Sequence, residues 1–183
     1  MKLYLVRHAG VAVRPGTPPA QWHLSPEGRA AADTLANELF WPGVRGIHTS
    51  AEPKACGTAQ RIAARHGLPV RIEPELREVA RPWLDASYAD AARRYLAGEA
   101  IDGWETRGEA LARVRGCIEH IVGRHAGAEV GIVSHGLALT LYLSDLLSLD
   151  GEASYRLWSE LAFPDVAIVD PEARRMERSF GQP

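Results

Sequence analysis

Short apolar runs and amphipathic segments alternate along the chain. Residues 2–7 and 129–134 are apolar in their interiors without polar alternation, which is typical of central strands buried on both faces. Shorter apolar runs predict three further strands at residues 44–49, 69–72 and 166–170. The pattern after residue 170 is polar and predicts a tail without regular structure.

Between these strands, apolar residues recur at the spacing of amphipathic helices. We expect helices at residues 25–41, 53–66, 88–96, 105–125 and 137–149. Ser25 is a suitable N-cap for the first helix, which would carry Leu35 and Leu39 toward the core. Gly67 follows the second helix as its terminator. The loop at residues 10–24 is indicated by its glycines and prolines.

Strands that alternate with helices predict the α/β class. We expect one domain over residues 1–183, with three α/β/α layers and a largely parallel central sheet. In such sheets, ligands bind beyond the carboxyl ends of the strands. The residues that follow the two central strands, Arg7-His8 and Ser134-His135-Gly136, should therefore line one crevice.

Composition and charge narrow the classes of function. A formal charge of −2 gives no reason to expect a nucleic acid or an anionic membrane as partner, and no apolar run is long enough to span a bilayer. Cys56 and Cys117 form no CxxC pair, so free thiols in a reducing compartment are favoured over a disulfide. We therefore expect a cytoplasmic protein. The pattern specifies no oligomeric state.

Two histidines stand out because each follows a central strand and precedes a small residue. His8 and His135 could bind a metal, since imidazole is a common ligand. Neither histidine has the spacing of a metal-binding motif or an adjacent acidic residue, however. Arg7 would repel a bound cation but can grip a phosphate with two hydrogen bonds. The Arg-His pair therefore favours a nucleophile beside an anion clamp.

Five motifs in order along the chain carry a resemblance to a known family. They are VRHAG at 6–10, LSPEG at 24–28, SAEPKACGTA at 50–59, LRE at 76–78 and SHG at 134–136. With these motifs the chain resembles the histidine phosphatase superfamily, its small phosphatase branch in particular. The resemblance implies the phosphoglycerate mutase-like fold.

The resemblance also implies a role for each matching residue. His8 would become a phosphohistidine, while Arg7, Lys54 and His135 would hold the phosphoryl group. His135 would thereby be catalytic as well as substrate-binding. Glu78 would be the general acid that protonates the leaving oxygen and then assists water. The family needs no metal and no cofactor.

Two departures from the family pattern affect the expected chemistry. Ala9 replaces a glycine, and the loop is expected to tolerate the added methyl group. Lys54 replaces an arginine, and losing a bidentate donor costs about 2–4 kcal/mol of transition-state stabilisation. Alternatively, Lys54 points to solvent and Arg77 or Arg81 binds the phosphate. Glu78 likewise has an alternative as a surface carboxylate that pairs with one of these arginines.

The substrate is expected to be a small phosphorylated metabolite, with a phosphoprotein as the alternative. Because the chain ends soon after the last predicted strand, a closing lid is not expected, and an open pocket favours hydrolysis over mutase chemistry. Substrate contacts should come from residues 10–24 and 81–103. Their aromatic residues could stack on a ring or simply pack: Trp22, Trp83, Tyr88 and Trp104. A phosphate-binding protein without activity and a metal hydrolase remain as rival functions.

Overall fold

A six-stranded sheet forms the centre of the computed structural model, which describes residues 1–84, 87–125 and 127–181. Its strands are β1 (Leu3–Arg7), β2 (Ile47–Thr49), β3 (Val70–Ile72), β4 (Val130–Ser134), β5 (Asp165–Asp170) and β6 (Arg175–Arg178). Their order is β3-β2-β4-β1-β5-β6. The first four in this order are parallel, whereas β5 and β6 run antiparallel to their neighbours. The prediction of a largely parallel sheet is confirmed.

Six α-helices connect and cover these strands within the described residues. They are α1 (Pro26–Leu35), α2 (Pro53–His66), α3 (Tyr88–Leu96), α4 (Arg107–Arg124), α5 (Gly136–Leu147) and α6 (Gly151–Ser159). The predicted bounds of α2 and α3 are confirmed, and Gly67 ends α2 in the left-handed conformation, with φ 63°. The sequence pattern missed α6 and β6. In the part of the chain that the structure describes, no helix is both long and apolar enough to cross a membrane.

The side chains of β1 alternate between two apolar layers. Leu3 and Leu5 face the layer that contains α4 and α5, whereas Tyr4 and Val6 face the layer that contains α1 and α2. All four side chains are buried. A strand without polar alternation is therefore covered on both faces, as its sequence predicts.

The end of α1 differs from the prediction. The helix stops at Leu35, and Leu39 is 94% exposed instead of packing in the core. The space beneath the helix end is filled by Trp41, whose Nε1 donates to the Leu35 carbonyl at 2.6 Å. Because this large side chain closes the layer, the chain turns away from the helix axis before Leu39.

The parallel pairing of β1 and β4 brings the two predicted histidine segments together. Arg7 is in register with Ser134, and the amide of His8 donates to the Ser134 carbonyl at 3.0 Å. His8 and His135 therefore leave the sheet side by side at its carboxyl edge, as predicted.

A close backbone contact holds the loop that follows His8. Ser25 caps α1 by accepting from the amide of Gly28 at 2.9 Å, and its own amide donates to the Gly10 carbonyl at 3.1 Å. A Cβ atom on Gly28 would lie 1.9 Å from the Gly10 carbonyl oxygen. Gly28 is therefore required for this contact, which explains the glycine of the LSPEG motif.

We expect Gly28→Ala to lower the free energy of unfolding by about 3 kcal/mol, because the new methyl group must displace backbone. Urea denaturation followed by circular dichroism measures this change. Gly116→Ala is the matched control, since position 116 lies inside α4 with open space around it. It should stabilise the protein by about 1 kcal/mol. Equal effects of the two substitutions would contradict the packing argument.

Candidate active site

His8 lies at the carboxyl end of β1 and presents one ring nitrogen for chemistry. Its Nδ1 is 2.8 Å from the Ala9 carbonyl oxygen, which can only accept, so Nδ1 carries the proton. Nε2 then has a free lone pair. Burial, followed by the neighbouring His135 and Lys54, holds the pKa of His8 well below its usual value of 6.5. The ring is therefore neutral and suited to nucleophilic attack.

The alanine that replaces the family glycine is accommodated without strain. Ala9 is not among the described residues with positive φ, and its methyl group is buried. Its amide donates to Thr58 Oγ1 at 3.0 Å, and that hydroxyl donates to the Lys54 carbonyl at 2.9 Å. Thr58 thereby ties the turn after His8 to the first turns of α2.

Arg7 is held beside His8 by a segment that the sequence analysis did not connect with the site. Its Nη1 donates to the Leu161 carbonyl at 2.6 Å, and its guanidinium carbon lies 3.4 Å from the ring centroid of Phe163. Burial lowers the pKa of Arg7 to about 10, although Glu78 opposes the shift. The side chain therefore stays charged at neutral pH and can serve as an anion clamp.

His135 is fully buried next to His8, with 5.1 Å between the ring centroids. Its Nε2 lies 2.8 Å from Ser50 Oγ, which also accepts from the amide of Glu52 at 3.2 Å. The Ser50 hydroxyl can donate to Nε2, and the neutral ring then carries its proton on Nδ1. That nitrogen has no hydrogen-bond partner among the described residues. Burial, then Lys54 and Arg7, keep the pKa of His135 well below 6.5.

Lys54 does not point to solvent, so that alternative is wrong. The side chain lines the cavity beside His8 and is only 5% exposed. Its Nζ donates to the Pro19 carbonyl at 2.7 Å and to Glu52 Oε2. Arg77 is not free to replace Lys54 as the phosphate-binding cation. Its guanidinium already makes two hydrogen bonds to Glu105, at 2.9 and 3.0 Å.

Glu52 is a buried carboxylate that connects three of the predicted site residues. Besides the ion pair with Lys54, its Oε1 accepts from the amide of Glu78 at 2.8 Å and lies 3.4 Å from His135 Nε2. The sequence analysis missed this role. The available signal was its position in the SAEPKACGTA motif, two residues before a lysine that stands where the family has an arginine.

Glu78 lines the cavity and is oriented by backbone amides. Its Oε1 accepts from Val79 and Ala138 at 3.0 Å each, and its Oε2 accepts from Leu137 at 3.3 Å. Two of these amides belong to the first turn of α5, where the helix dipole favours an acidic side chain. Since Arg77 pairs with Glu105, Glu78 is not the surface partner of that arginine.

A cavity of about 630 Å³ opens beside His8. His135 is fully buried and is not among the residues that line it. Arg7, His8, Lys54 and Glu78 line it, together with Glu52. Among the aromatic residues considered from the sequence, Trp22, Trp83 and Tyr88 line the cavity, whereas Trp104 packs in the core against Tyr95. Asp85 and Ala86, within the segment expected to contact substrate, lie outside the described residues.

Neither a metal-binding cluster nor a disulfide is found among the described residues. Within residues 1–84, 87–125 and 127–181, no group of three or more His, Cys, Asp and Glu side chains is arranged to hold a metal ion. Cys56 and Cys117 are both free thiols, as the sequence favoured.

Two sequence comparisons show which known proteins the chain is similar to. A sequence model of the histidine phosphatase superfamily, branch 1, matches residues 3–177. A relative named probable phosphoglycerate mutase GpmB, from Serratia proteamaculans, is 29% identical over 171 residues, which cover 86% of this chain and 80% of the relative.

Two solved structures show the same fold. Bacillus stearothermophilus YhfR superposes with a TM-score of 0.80 at 21% identity, covering 100% of this chain and 97% of that one. A mycobacterial glucosyl-3-phosphoglycerate phosphatase, Rv2419c, superposes with a TM-score of 0.75 at 23% identity, covering 99% of each chain. The phosphoglycerate mutase-like fold expected from the motifs is confirmed.

We expect the His8 ring to remain neutral well below pH 6.5, because burial and neighbouring cations disfavour its charged form. Protonation would remove the nucleophilic lone pair, so this depression extends the active form toward acid pH. ¹⁵N NMR of the imidazole rings measures both the titration and the tautomer, and His8→Ala identifies the signals. A midpoint near 6.5, or a proton on Nε2, would contradict the structure.

The Glu52–Lys54 pair is expected to be coupled. Removing either partner leaves a charge in a largely buried position, so Glu52→Gln and Lys54→Met should each cost about 3 kcal/mol of folding stability. The double variant should cost clearly less than the sum, as urea denaturation would show. The exposed pair Arg93–Glu152, with both side chains 57% exposed, is the control. Additive losses at the buried pair would rule out the coupling.

Proposed function

The chain belongs to the histidine phosphatase superfamily, and on that premise we propose that it is a phosphomonoester hydrolase that works through a phosphohistidine on His8. The observation that carries the proposal is the state of His8. Its Nδ1 proton is fixed by the Ala9 carbonyl, its pKa is depressed, and it lines the cavity beside Arg7.

In the first step, Nε2 of neutral His8 attacks the phosphorus of the ester. The N–P bond forms as the bond from phosphorus to the ester oxygen breaks. Glu78 must carry a proton at the start of this step, and it gives that proton to the leaving oxygen, which departs as the alcohol. Its place on the cavity wall supports this role.

In the second step, water hydrolyses the phosphohistidine. Glu78, now a carboxylate, takes a proton from the water as its oxygen attacks phosphorus, and the N–P bond breaks. His8 recovers its lone pair, and inorganic phosphate leaves. One carboxyl group thus serves as acid and then as base, which restores the starting state.

Arg7, Lys54 and His135 are proposed to hold the phosphoryl oxygens. Lys54 Nζ has three donors, and Pro19 and Glu52 use two of them, which leaves one for a phosphoryl oxygen. His135 Nδ1 has no partner among the described residues and can donate once it carries the proton. Since Glu52 neutralises Lys54, Arg7 is the larger source of positive charge.

Hydrolysis is favoured over transfer because the cavity mouth is open. Val13 and Trp83 line the cavity and are 55% and 48% exposed, so water has access to a phosphohistidine. A mutase must exclude water from that intermediate. The name of the Serratia relative makes mutase chemistry the second candidate. We further propose that the reaction needs no metal, that the substrate is a small metabolite and that the protein acts in the cytoplasm.

Hydrolysis of p-nitrophenyl phosphate between pH 4 and 8, with and without EDTA, tests the proposal. We expect chelator-resistant activity that falls by about 10³-fold or more in His8→Ala. His120→Ala is the matched control, since it removes an exposed histidine from α4, and its activity should be unchanged. Mass spectrometry after an acid-free quench should find one phosphate adduct, located on His8.

Each rival function gives a different result in the same experiments. Unchanged activity in His8→Ala would exclude the phosphohistidine, and loss of activity with EDTA would favour a metal hydrolase. Phosphate binding by calorimetry without turnover would indicate a binding protein. With 3-phosphoglycerate as substrate, ³¹P NMR would show a positional isomer for a mutase and inorganic phosphate for a phosphatase.

A further inference from the structure

The wall of the cavity away from His8 is apolar and aromatic. Trp22 is buried there, and its Nε1 already donates to the Thr17 carbonyl at 3.0 Å, so the indole offers no free donor to a ligand. Trp83 packs against it edge to face, with ring centroids 4.7 Å apart. Val11 and Val13 line the same cavity.

A second group of rings also lines the cavity. Tyr88 and Trp158 line it in an edge-to-face pair with centroids 5.5 Å apart, and Phe163 stands near His8 at 5.4 Å. Burial raises the pKa of Tyr88 to about 12, so its ring stays uncharged at neutral pH. A ligand that extends from the phosphoryl position into the cavity therefore meets aromatic side chains.

Several charged groups of the cavity wall are already paired, and the buried donors left without a partner on its described lining residues are Arg7 Nε, Arg81 Nε and Trp158 Nε1. Lys54 is paired with Glu52 and Arg77 with Glu105. Arg81 lies over the Tyr88 ring at 3.9 Å, and its Nη1 donates to the Pro82 carbonyl at 3.2 Å. A sugar or glycerate would set most of its hydroxyl groups against apolar walls that offer few hydrogen-bond partners, which disfavours binding.

We propose that this site takes phosphomonoesters of bulky apolar alcohols, aromatic ones first, in preference to phosphorylated sugars or glycerates. The inference rests on the proposed function for the phosphate end of the site but is carried by the walls of the cavity. A volume of about 630 Å³ is within the range of pockets that enclose small organic ligands. Rings stack favourably on tryptophan and tyrosine faces and bury apolar area.

Calorimetry with two phosphonates tests the preference without any need for hydrolysis. 1-Naphthylmethylphosphonate and 2-hydroxyethylphosphonate carry the same anionic group on apolar and polar substituents. We expect the naphthyl compound to bind the wild-type protein about tenfold tighter or more. Trp83→Ala should reduce that ratio severalfold, whereas Trp83→Phe, which keeps a ring, should retain most of it. Leu39→Ala, at an exposed position outside the cavity, is the control and should leave the ratio unchanged.

A hydrolysis experiment gives the second readout. The kcat/KM for 1-naphthyl phosphate should exceed that for glycerol 3-phosphate, and Trp83→Ala should lower only the former. Equal affinity for the two phosphonates, or a ratio insensitive to Trp83→Ala, would overturn the inference. Preference for 3-phosphoglycerate would also overturn it and would indicate that Arg81 binds the carboxylate of that substrate. Tight naphthyl binding without hydrolysis of either ester would support the apolar site and refute the proposed function alone.

Discussion

The parallel pairing of β1 with β4 is the constraint on which the candidate site depends. The register sets Arg7 opposite Ser134, so the next residue of each strand is a histidine and both leave the sheet at one edge. The hydrogen bond that the His8 amide donates to the Ser134 carbonyl continues the pairing past the last strand residue. Because both strands are buried on both faces, a slip of one residue would place side chains of the wrong size in both apolar layers. Packing of the core thereby fixes the distance between the two rings.

A second constraint is the balance of charges around His8, the proposed nucleophile. Two histidines with depressed pKa values stand next to Arg7 and Lys54, and those cations are part of what keeps the rings neutral. A buried lysine needs a partner, and Glu52 provides it while also accepting from the amide of Glu78. The carboxylate therefore links the proposed phosphate-binding cation to the proposed general acid. The lysine that departs from the family pattern is held in place by a neighbour within the same motif.

Local sequence patterns predicted most helices and strands. The features that depend on tertiary contacts could not be predicted from the sequence. The first and last residues of α2 could be predicted correctly because Pro53 and Gly67 mark its ends. Leu39 could not be placed, since the end of α1 depends on Trp41 filling the layer beneath it. β6 is a short edge strand whose alternate residues are exposed, so its polar sequence resembles a tail.

The residues of the candidate site also fall into two groups, those that sequence motifs predict and those whose role depends on tertiary contacts. His8, His135 and Glu78 follow strands or motifs and could be identified from the chain alone. The contacts of Arg7 with Leu161 and Phe163 join residues more than 150 positions apart, and no local pattern signals them. Glu52 was also missed, because its role depends on the orientation of a lysine side chain that the sequence left open between cavity and solvent.

Reacting groups and cavity walls are held by different kinds of structure. His8 and His135 follow strand ends, and Glu78 is fixed by amides at the start of α5, so backbone hydrogen bonds position the chemistry. The cavity walls that a leaving group would meet come largely from loops. Two of these loops place Trp22 and Trp83 in contact, although the residues are about sixty positions apart in the sequence. Substitutions in such loops can alter the shape and polarity of the cavity without moving the strand ends. In this chain they are largely aromatic and apolar, so the proposed selection of the alcohol is separable from the proposed transfer of its phosphate.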